Sequence, residues 1–330
     1  MRIALVVPGG VGADGVHNVI PALLSLIERL ARHHDLLVLA TDQVGSPARY
    51  QLRGAQTRCL GDRRRGPLGR VRLAVAVLAE LRSFRPDVIH VMWLGPRSTL
   101  SIVAGRILGV PVVATVGGGE MVAIRRIGYG GARSRRGRFH TRLATRFAAA
   151  LTAGSRSAVA PILARRLDAR SLPLGAERTS EPLAGYEAPP GELRLLVVAS
   201  VNRVKGPEVV LGALARLHRN ADLDVRLDWI GEDTMAGQGA ALVRSLGLGG
   251  VAAFHGWEPN ADVLAAMLMT DLLVQGSFHE SQGVAVVEAA MRGVPTVGTA
   301  VGLVAELAAM EPPAAVARSE ERRVGKECRL

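Results

Sequence analysis

Cysteine, lysine and aromatic residues are scarce in this chain. Its 330 residues hold two cysteines, Cys59 and Cys328, too few for a disulfide framework or a four-ligand zinc site. Aromatic side chains make up 3% of the sequence, which leaves little for the stacked platforms of single-strand nucleic-acid binders. No apolar run reaches the roughly 18 residues of a membrane-spanning helix. Glu80 breaks the run after Leu73, and Glu306 and Glu311 break the one after Thr299. The opening MRIALVVPGG has too short an apolar part for a secretory leader, so a cytoplasmic protein is expected. The eight histidines show no ligand spacing, and no metal site is expected.

What is present is apolar, arginine-rich and unevenly charged. Hydrophobic residues make up 48% of the chain, and its length suggests two domains. Residues 1–190 carry a net charge of +16 and residues 191–330 a net charge of −4. A basic half can attract nucleic acid, an anionic membrane face or a phosphorylated ligand, or it can reflect arginine usage alone. Only two lysines, Lys205 and Lys326, stand against 39 arginines. Lys326 lies in residues 318–330, RSEERRVGKECRL, a charged stretch unlike the Ala/Val/Leu pattern before it. That stretch is set apart from the fold as a non-native tail. Lys205 is then the one lysine of the body, either by chance or because a site there uses a compact ammonium.

Hydrophobic periodicity alternates strands with helices. Strands are predicted at 3–7, 36–40, 87–92, 110–116 and 148–153, with helical spacing from Val16 to Leu30 and over 73–81, 100–108 and 156–167. Residues 180–191, SEPLAGYEAPPG, read as a linker between domains 1–179 and 192–317. Alternation then restarts. Strands are predicted at 193–200, 225–231, 251–255, 272–275 and 296–298, and helices at 207–218, 238–246, 260–269 and 283–292. Such alternation implies α/β domains with parallel sheets and ligands at the carboxyl ends of the strands.

Three motifs carry candidate chemistry. Gly10-Val11-Gly12-Ala13-Asp14-Gly15 matches a dinucleotide fingerprint, with Asp42 closing the next strand. It reads as an NAD site, a plain glycine turn, or a loop facing phosphate or acceptor through Gly10 and Gly12. Asp222-Leu223-Asp224 is a D-x-D in a polar turn and reads as two surface acids rather than a metal site. The third motif is FHESQGVAVVEAAMRGVPTVGTAV at 278–301. Glu280 and Glu288 can meet one ligand only if Glu280 precedes the helix that carries Glu288. Both could also face solvent, but Glu288 sits in an apolar run where an acid is costly unless bound or paired. The loop Ser200–Gly206 adds Arg203 and Lys205 at a strand's carboxyl end, a setting that suits a diphosphate.

The second half resembles a family-4 glycosyltransferase of the GT-B fold, two Rossmann-like domains facing a cleft. The Glu280/Glu288 pair with its GVPTVGTAVG continuation carries the likeness, together with SVNRVKG, WIGEDT and FHGW. In the first half PGGVG, RPDVIHVMW and TAGS fit as well, so the resemblance covers roughly residues 1–310. It implies a retaining, metal-independent transfer from a UDP- or GDP-sugar, with no further cofactor. Glu288 would hold the ribose and Glu280 the donor sugar. Lys205 with Arg203 would neutralise the diphosphate, and the amides of Gln282, Gly283 and Val284 would lie beside sugar and phosphates. The acceptor, a sugar or a lipid-linked or small molecule, would fall to the first domain, which could rest on an anionic inner membrane face. No nucleic acid is expected. Three positions depart from the family. Ser200 stands where an Arg is usual, Gly117 where a His is usual, and after residue 310, where the family continues with closing helices, these are expected to be missing. Two readings compete: an NAD-dependent oxidoreductase using residues 10–15, and a basic membrane- or nucleic-acid-binding protein.

Overall fold

The computed structural model describes residues 1–43, 47–60, 66–165, 167–176, 191–219, 224–310 and 315–318. They form two compact units, Met1–Gly175 and Ala176–Leu330. Most of the expected linker, 180–191, lies outside the described residues.

The first unit runs β1 (Arg2–Val7), α1 (Pro21–Ala31), β2 (Asp35–Ala40), β3 (Ala48–Leu52), β4 (Ala55–Cys59), α2 (Gly66–Phe84), β5 (Val88–Met92), α3 (Pro96–Leu108), β6 (Val112–Val116), α4 (Arg135–Phe147), β7 (Ala150–Ala153), α5 (Arg156–Leu163) and β8 (Arg170–Ser171). Its sheet has the order β3-β4-β2-β1-β5-β6-β7-β8 and is parallel except for the β3–β4 pair. β1 is central and covered on both faces, which is why Ile3–Val7 is an unbroken apolar run rather than an alternating one. α3 ends where Gly109 takes φ 71, a conformation open to glycine without strain.

Two elements differ from expectation. Helical spacing begins at Val16, yet α1 starts only at Pro21, which occupies its first turn. Residues before it form a loop closed by a Val11–Val19 bridge, with Asn18 at φ 52. The β3–β4 hairpin was not anticipated. Its turn is Arg53-Gly54, both left-handed as a two-residue hairpin turn requires. Its strands carry Arg49, Gln51, Gln56 and Arg58, so no apolar run marks them.

The second unit runs β9 (Glu192–Val198), α6 (Pro207–Leu217), β10 (Asp224–Ile230), α7 (Gln238–Ser245), β11 (Ala252–Gly256), α8 (Asn260–Leu268), β12 (Leu272–Gln275), α9 (Val284–Ala290), β13 (Thr296–Thr299), α10 (Gly302–Ala308) and β14 (Ala315–Arg318). All six strands are parallel in the order β11-β10-β9-β12-β13-β14. The order reverses between β9 and β12, so the loops after those two strands flank the switch point where α/β sheets bind ligands. Fully buried Trp229 anchors the core, and its indole N–H donates to the Ala199 carbonyl at 2.7 Å. Arg318, the first residue of the stretch set apart as a tail, pairs with Thr299 in the sheet, and the rest of that stretch, 319–330, lies outside the described residues.

Candidate active site

The loop after β9 is shaped by Asn202. Its side-chain oxygen accepts the N–H groups of Val204 and Lys205, each at 3.1 Å, which winds Arg203–Lys205 into a single 3-10 turn. The Asn202 amide also donates to the Ser200 hydroxyl at 2.9 Å. Gly206 follows at φ 63, and a Cβ there would stand 2.2 Å from the Gly276 carbonyl oxygen. The loops after β9 and β12 therefore touch backbone to backbone. A second tie is the Phe278 N–H, which donates to the Val204 carbonyl at 2.8 Å.

That approach brings Lys205 to Glu280. The Lys205 ammonium donates to Glu280 Oε1 at 2.5 Å, and the Ser277 hydroxyl donates to the same oxygen at 2.7 Å. Ser277 is buried, and the Glu280 side chain keeps 12% of its exposure. The Thr299 hydroxyl, at the end of β13, donates to the Ser277 carbonyl. Glu280 precedes α9, as a shared ligand for the two acids requires. Glu288 lies within α9 and is 8% exposed, not solvent-facing. One turn on, Arg292 is also buried and donates to the Glu288 carbonyl at 3.1 Å. Ser281 and Gln282 are buried, Gly283 takes φ 88, and the Gln282 carbonyl accepts from Leu303 N–H at 2.8 Å. Val284 opens α9.

Lys205, Glu280 and the Gln282–Val284 segment are thus gathered at one carboxyl edge. Arg203 shares the turn but is exposed. An ammonium has three N–H donors, so Lys205 can hold Glu280 and an anion together. Sequence reasoning missed Asn202, Ser277 and Thr299. An Asn two residues ahead of an amide pair is a capping signal, but nothing in sequence spacing links Ser277 to Thr299.

In the first unit the fingerprint glycines serve the loop itself. Gly10 takes φ 82, and a Cβ on Gly12 would lie 1.9 Å from the His17 carbonyl oxygen. Gly12 N–H donates to Asn18, and Val11 N–H donates to the Gln43 side chain. α1 begins six residues beyond Gly15, so no helix opens at the fingerprint as a pyrophosphate cradle needs. Asp42, the acid a ribose would require, is ion-paired with Arg97 of α3. Gly117 has a steric cause too. A Cβ there would meet the Trp93 indole nitrogen at 2.5 Å, so no His fits without moving Trp93.

Of the D-x-D motif, Asp222 is outside the described residues and Asp224 begins β10, with Arg226 at 3.5 Å. Among the described residues no three His, Cys, Asp or Glu side chains group so as to hold a metal ion. No described helix is long and apolar enough to cross a membrane.

Comparison with known proteins agrees with this plan. A family model described as "Glycosyl transferases group 1" matches residues 183–320, and one described as "Glycosyl transferase 4-like domain" matches residues 19–175. The D-inositol 3-phosphate glycosyltransferase of Arthrobacter sp. (strain FB24) is 34% identical over 122 residues, 34% of this chain and 28% of that protein. Its namesake from Corynebacterium diphtheriae is 33% identical over 118 residues, 33% of this chain and 28% of that protein. The match therefore spans little more than a quarter of these curated relatives. Among solved structures, sucrose-phosphate synthase from Thermosynechococcus elongatus superposes with TM-score 0.73 at 18% identity, covering 97% of this chain and 86% of that one. Anabaena HepE in complex with UDP and glucose gives TM-score 0.70 at 17% identity, covering 96% and 85%. At such identities the likeness speaks for the fold, two Rossmann-like domains of the GT-B kind. The two family models divide nearly the whole chain between them, and the chain belongs to the family-4 glycosyltransferases.

Proposed function

We propose that this protein transfers a glycosyl group from a nucleotide-diphospho-sugar to an acceptor hydroxyl, with retention of anomeric configuration and without a metal. The observation that carries the reading is the Lys205–Glu280–Ser277 cluster at the switch point of the second unit. It sets a cation for a departing diphosphate beside a carboxylate for sugar hydroxyls. Lys205 is the partner of the diphosphate, with Arg203 adding charge from the same turn. Glu280 faces the donor sugar and Glu288 the ribose. Charge that builds on the leaving group is stabilised by a fixed ammonium, typically worth about 3–4 kcal/mol for one preorganised donor. The likeness to Anabaena HepE, whose structures hold UDP or UDP-glucose, supports a uridine donor. The test is a melting-shift series with UDP, GDP and ADP, followed by sugar transfer with and without EDTA. Stabilisation by one diphosphate and EDTA-insensitive turnover are expected. No shift with any diphosphate refutes the reading.

The same proposal places the first unit on an anionic membrane face. α4 exposes Arg135, Arg136, Arg142 and Arg146 beside an exposed Phe139. Each such charge near anionic lipid contributes about 1 kcal/mol. Co-sedimentation with anionic but not neutral vesicles is expected. Reversal of Arg135, Arg136 and Arg142 to Glu should abolish it, sparing Arg138, whose guanidinium holds the Ala132 carbonyl at 2.8 Å.

A further inference from the structure

The loop that carries Glu280 is held from two sides. One side is the Lys205 turn, through the Gly206–Gly276 approach and the Phe278 N–H. The other is the turn that joins β13 to α10. β13 lies beside β12 in the sheet, with Gly298 opposite Gln275. A Cβ on Gly298 would stand 2.4 Å from the Gln275 carbonyl oxygen, so the strands leave no room for a side chain where they end. Contacts continue along the turn itself. The Thr299 hydroxyl donates to the Ser277 carbonyl, and Leu303 N–H donates to the Gln282 carbonyl at 2.8 Å. Between them sits Gly302, buried and at φ 57. A Cβ there would stand 2.5 Å from the Gln282 carbonyl oxygen and 2.8 Å from the Glu280 Cβ. A side chain at this position must displace loop backbone, not the free end of a flexible side chain.

The approach to the Glu280 Cβ bears on where its carboxylate points. Glu280 receives both of its hydrogen bonds on Oε1, from the Lys205 ammonium at 2.5 Å and the Ser277 hydroxyl at 2.7 Å. Oε2 has no partner among the described residues and is not sealed from solvent, the side chain keeping 12% of its exposure. Oε2 is therefore the oxygen that a ligand hydroxyl can reach. With Oε1 doubly held, the side chain is anchored at its far end. Its near end is the Cβ, and Gly302 lies against it. The direction of Oε2 is thus set from both ends, by Lys205 and Ser277 at the carboxylate and by Gly302 at the root. Thr299 enters one step removed, because it holds the Ser277 backbone. We propose that Gly302 and Thr299 are positioning residues for the transfer, which act through Glu280 to aim Oε2 at a hydroxyl of the donor sugar. The proposal rests on the donor reading of Glu280 given above; the contacts themselves do not.

Hydrolysis of a donor without acceptor reads this edge alone, with UDP-glucose, UDP-galactose and UDP-N-acetylglucosamine as separate probes. On the probe that wild type hydrolyses fastest, Gly302→Ala should lower kcat about tenfold and Thr299→Val about fivefold. The inhibition constant of UDP, which lacks the sugar, should stay within about twofold of wild type in both. Thr299→Ser keeps the hydroxyl and should recover most of the loss, and the two Thr299 variants carry the test if Gly302→Ala does not fold. Combination with Glu280→Gln then identifies the route. A residue that acts through the Glu280 carboxylate costs little more once that carboxylate is gone, so Glu280→Gln with Gly302→Ala should match Glu280→Gln alone within about twofold. Additive losses, or a UDP affinity that falls together with kcat, overturn the proposal. So does an unchanged kcat in Gly302→Ala and Thr299→Val where Glu280→Gln loses activity, a result that leaves the donor reading intact. Glu280→Gln without effect, or no hydrolysis of any probe by wild type, refutes the donor reading and the positioning role with it.

Discussion

The two units share one parallel α/β plan but arm their carboxyl edges differently. The second sets an ammonium against a carboxylate, with side-chain support from Ser277 and backbone support from Asn202. The first holds Glu120, a buried-loop carboxylate that accepts the amides of Leu94, Gly117 and Gly118. A charged pair suits a ligand that arrives and leaves with charge. Histidines follow the same division. His90 is half-buried in β5, bonded to the Thr115 hydroxyl at 2.7 Å, whereas His255 of β11 lies exposed and 2.6 Å from Asp228. One scaffold thus carries two different electrostatic settings.

The sharpest way to break the contrast is Lys205→Ala. It should lower kcat/KM about 100-fold or more and abolish the UDP-induced melting shift. Lys205→Arg should rescue only in part, since a planar guanidinium does not replace a compact ammonium. Equal UDP shifts in wild type and the alanine variant would refute the assignment.

Acid should then separate the units. Burial lowers the His90 pKa from 6.5 to about 4. Between those values the unfolded chain binds the proton and the folded one does not, so stability falls as pH drops from 6.5 towards 4, by on the order of 3 kcal/mol. Melting curves across that range should show an acid limb that His90→Gln flattens. An identical limb in the variant would place the linkage elsewhere.

Smaller effects refine the donor edge. Glu288→Gln should raise the donor KM about tenfold with little loss of melting temperature. A large melting loss with unchanged KM would make Glu288 a structural acid. Ser277→Ala should reduce kcat about fivefold by loosening Glu280, and Ser277→Thr should restore most of it. A variant altered in stability but not in kcat would refute this positioning role.

Much of this arrangement is legible in the sequence, and the exceptions have physical causes. Strands buried on both faces, such as β1 and β2, announce themselves as apolar runs. The β3–β4 hairpin does not, because the edge strand β3 and its neighbour β4 carry Arg and Gln in place of valines. The helix after β1 was read too early because Val16 and Val19 keep its spacing, and only Pro21 marks the true start. Lys205 and Glu280 stand out by rarity and by motif. Ser277 and Thr299 do not, because each acquires its meaning from a partner distant in the chain.

The contact between Gly206 and Gly276 bears on how such enzymes can be recombined. No side chain fits on Gly206 while the Gly276 carbonyl stands 2.2 Å from where its Cβ would be, and a Cβ on Gly276 would meet Val210 at 2.6 Å. The turn that presents Lys205 and the loop that presents Glu280, some 75 residues apart in sequence, are therefore one heritable cassette. A chimera that imports either segment alone from a relative with a bulkier residue at the junction should lose both functional groups at once. One that imports the two together should keep them, which sets the natural crossover points before β9 and after β13.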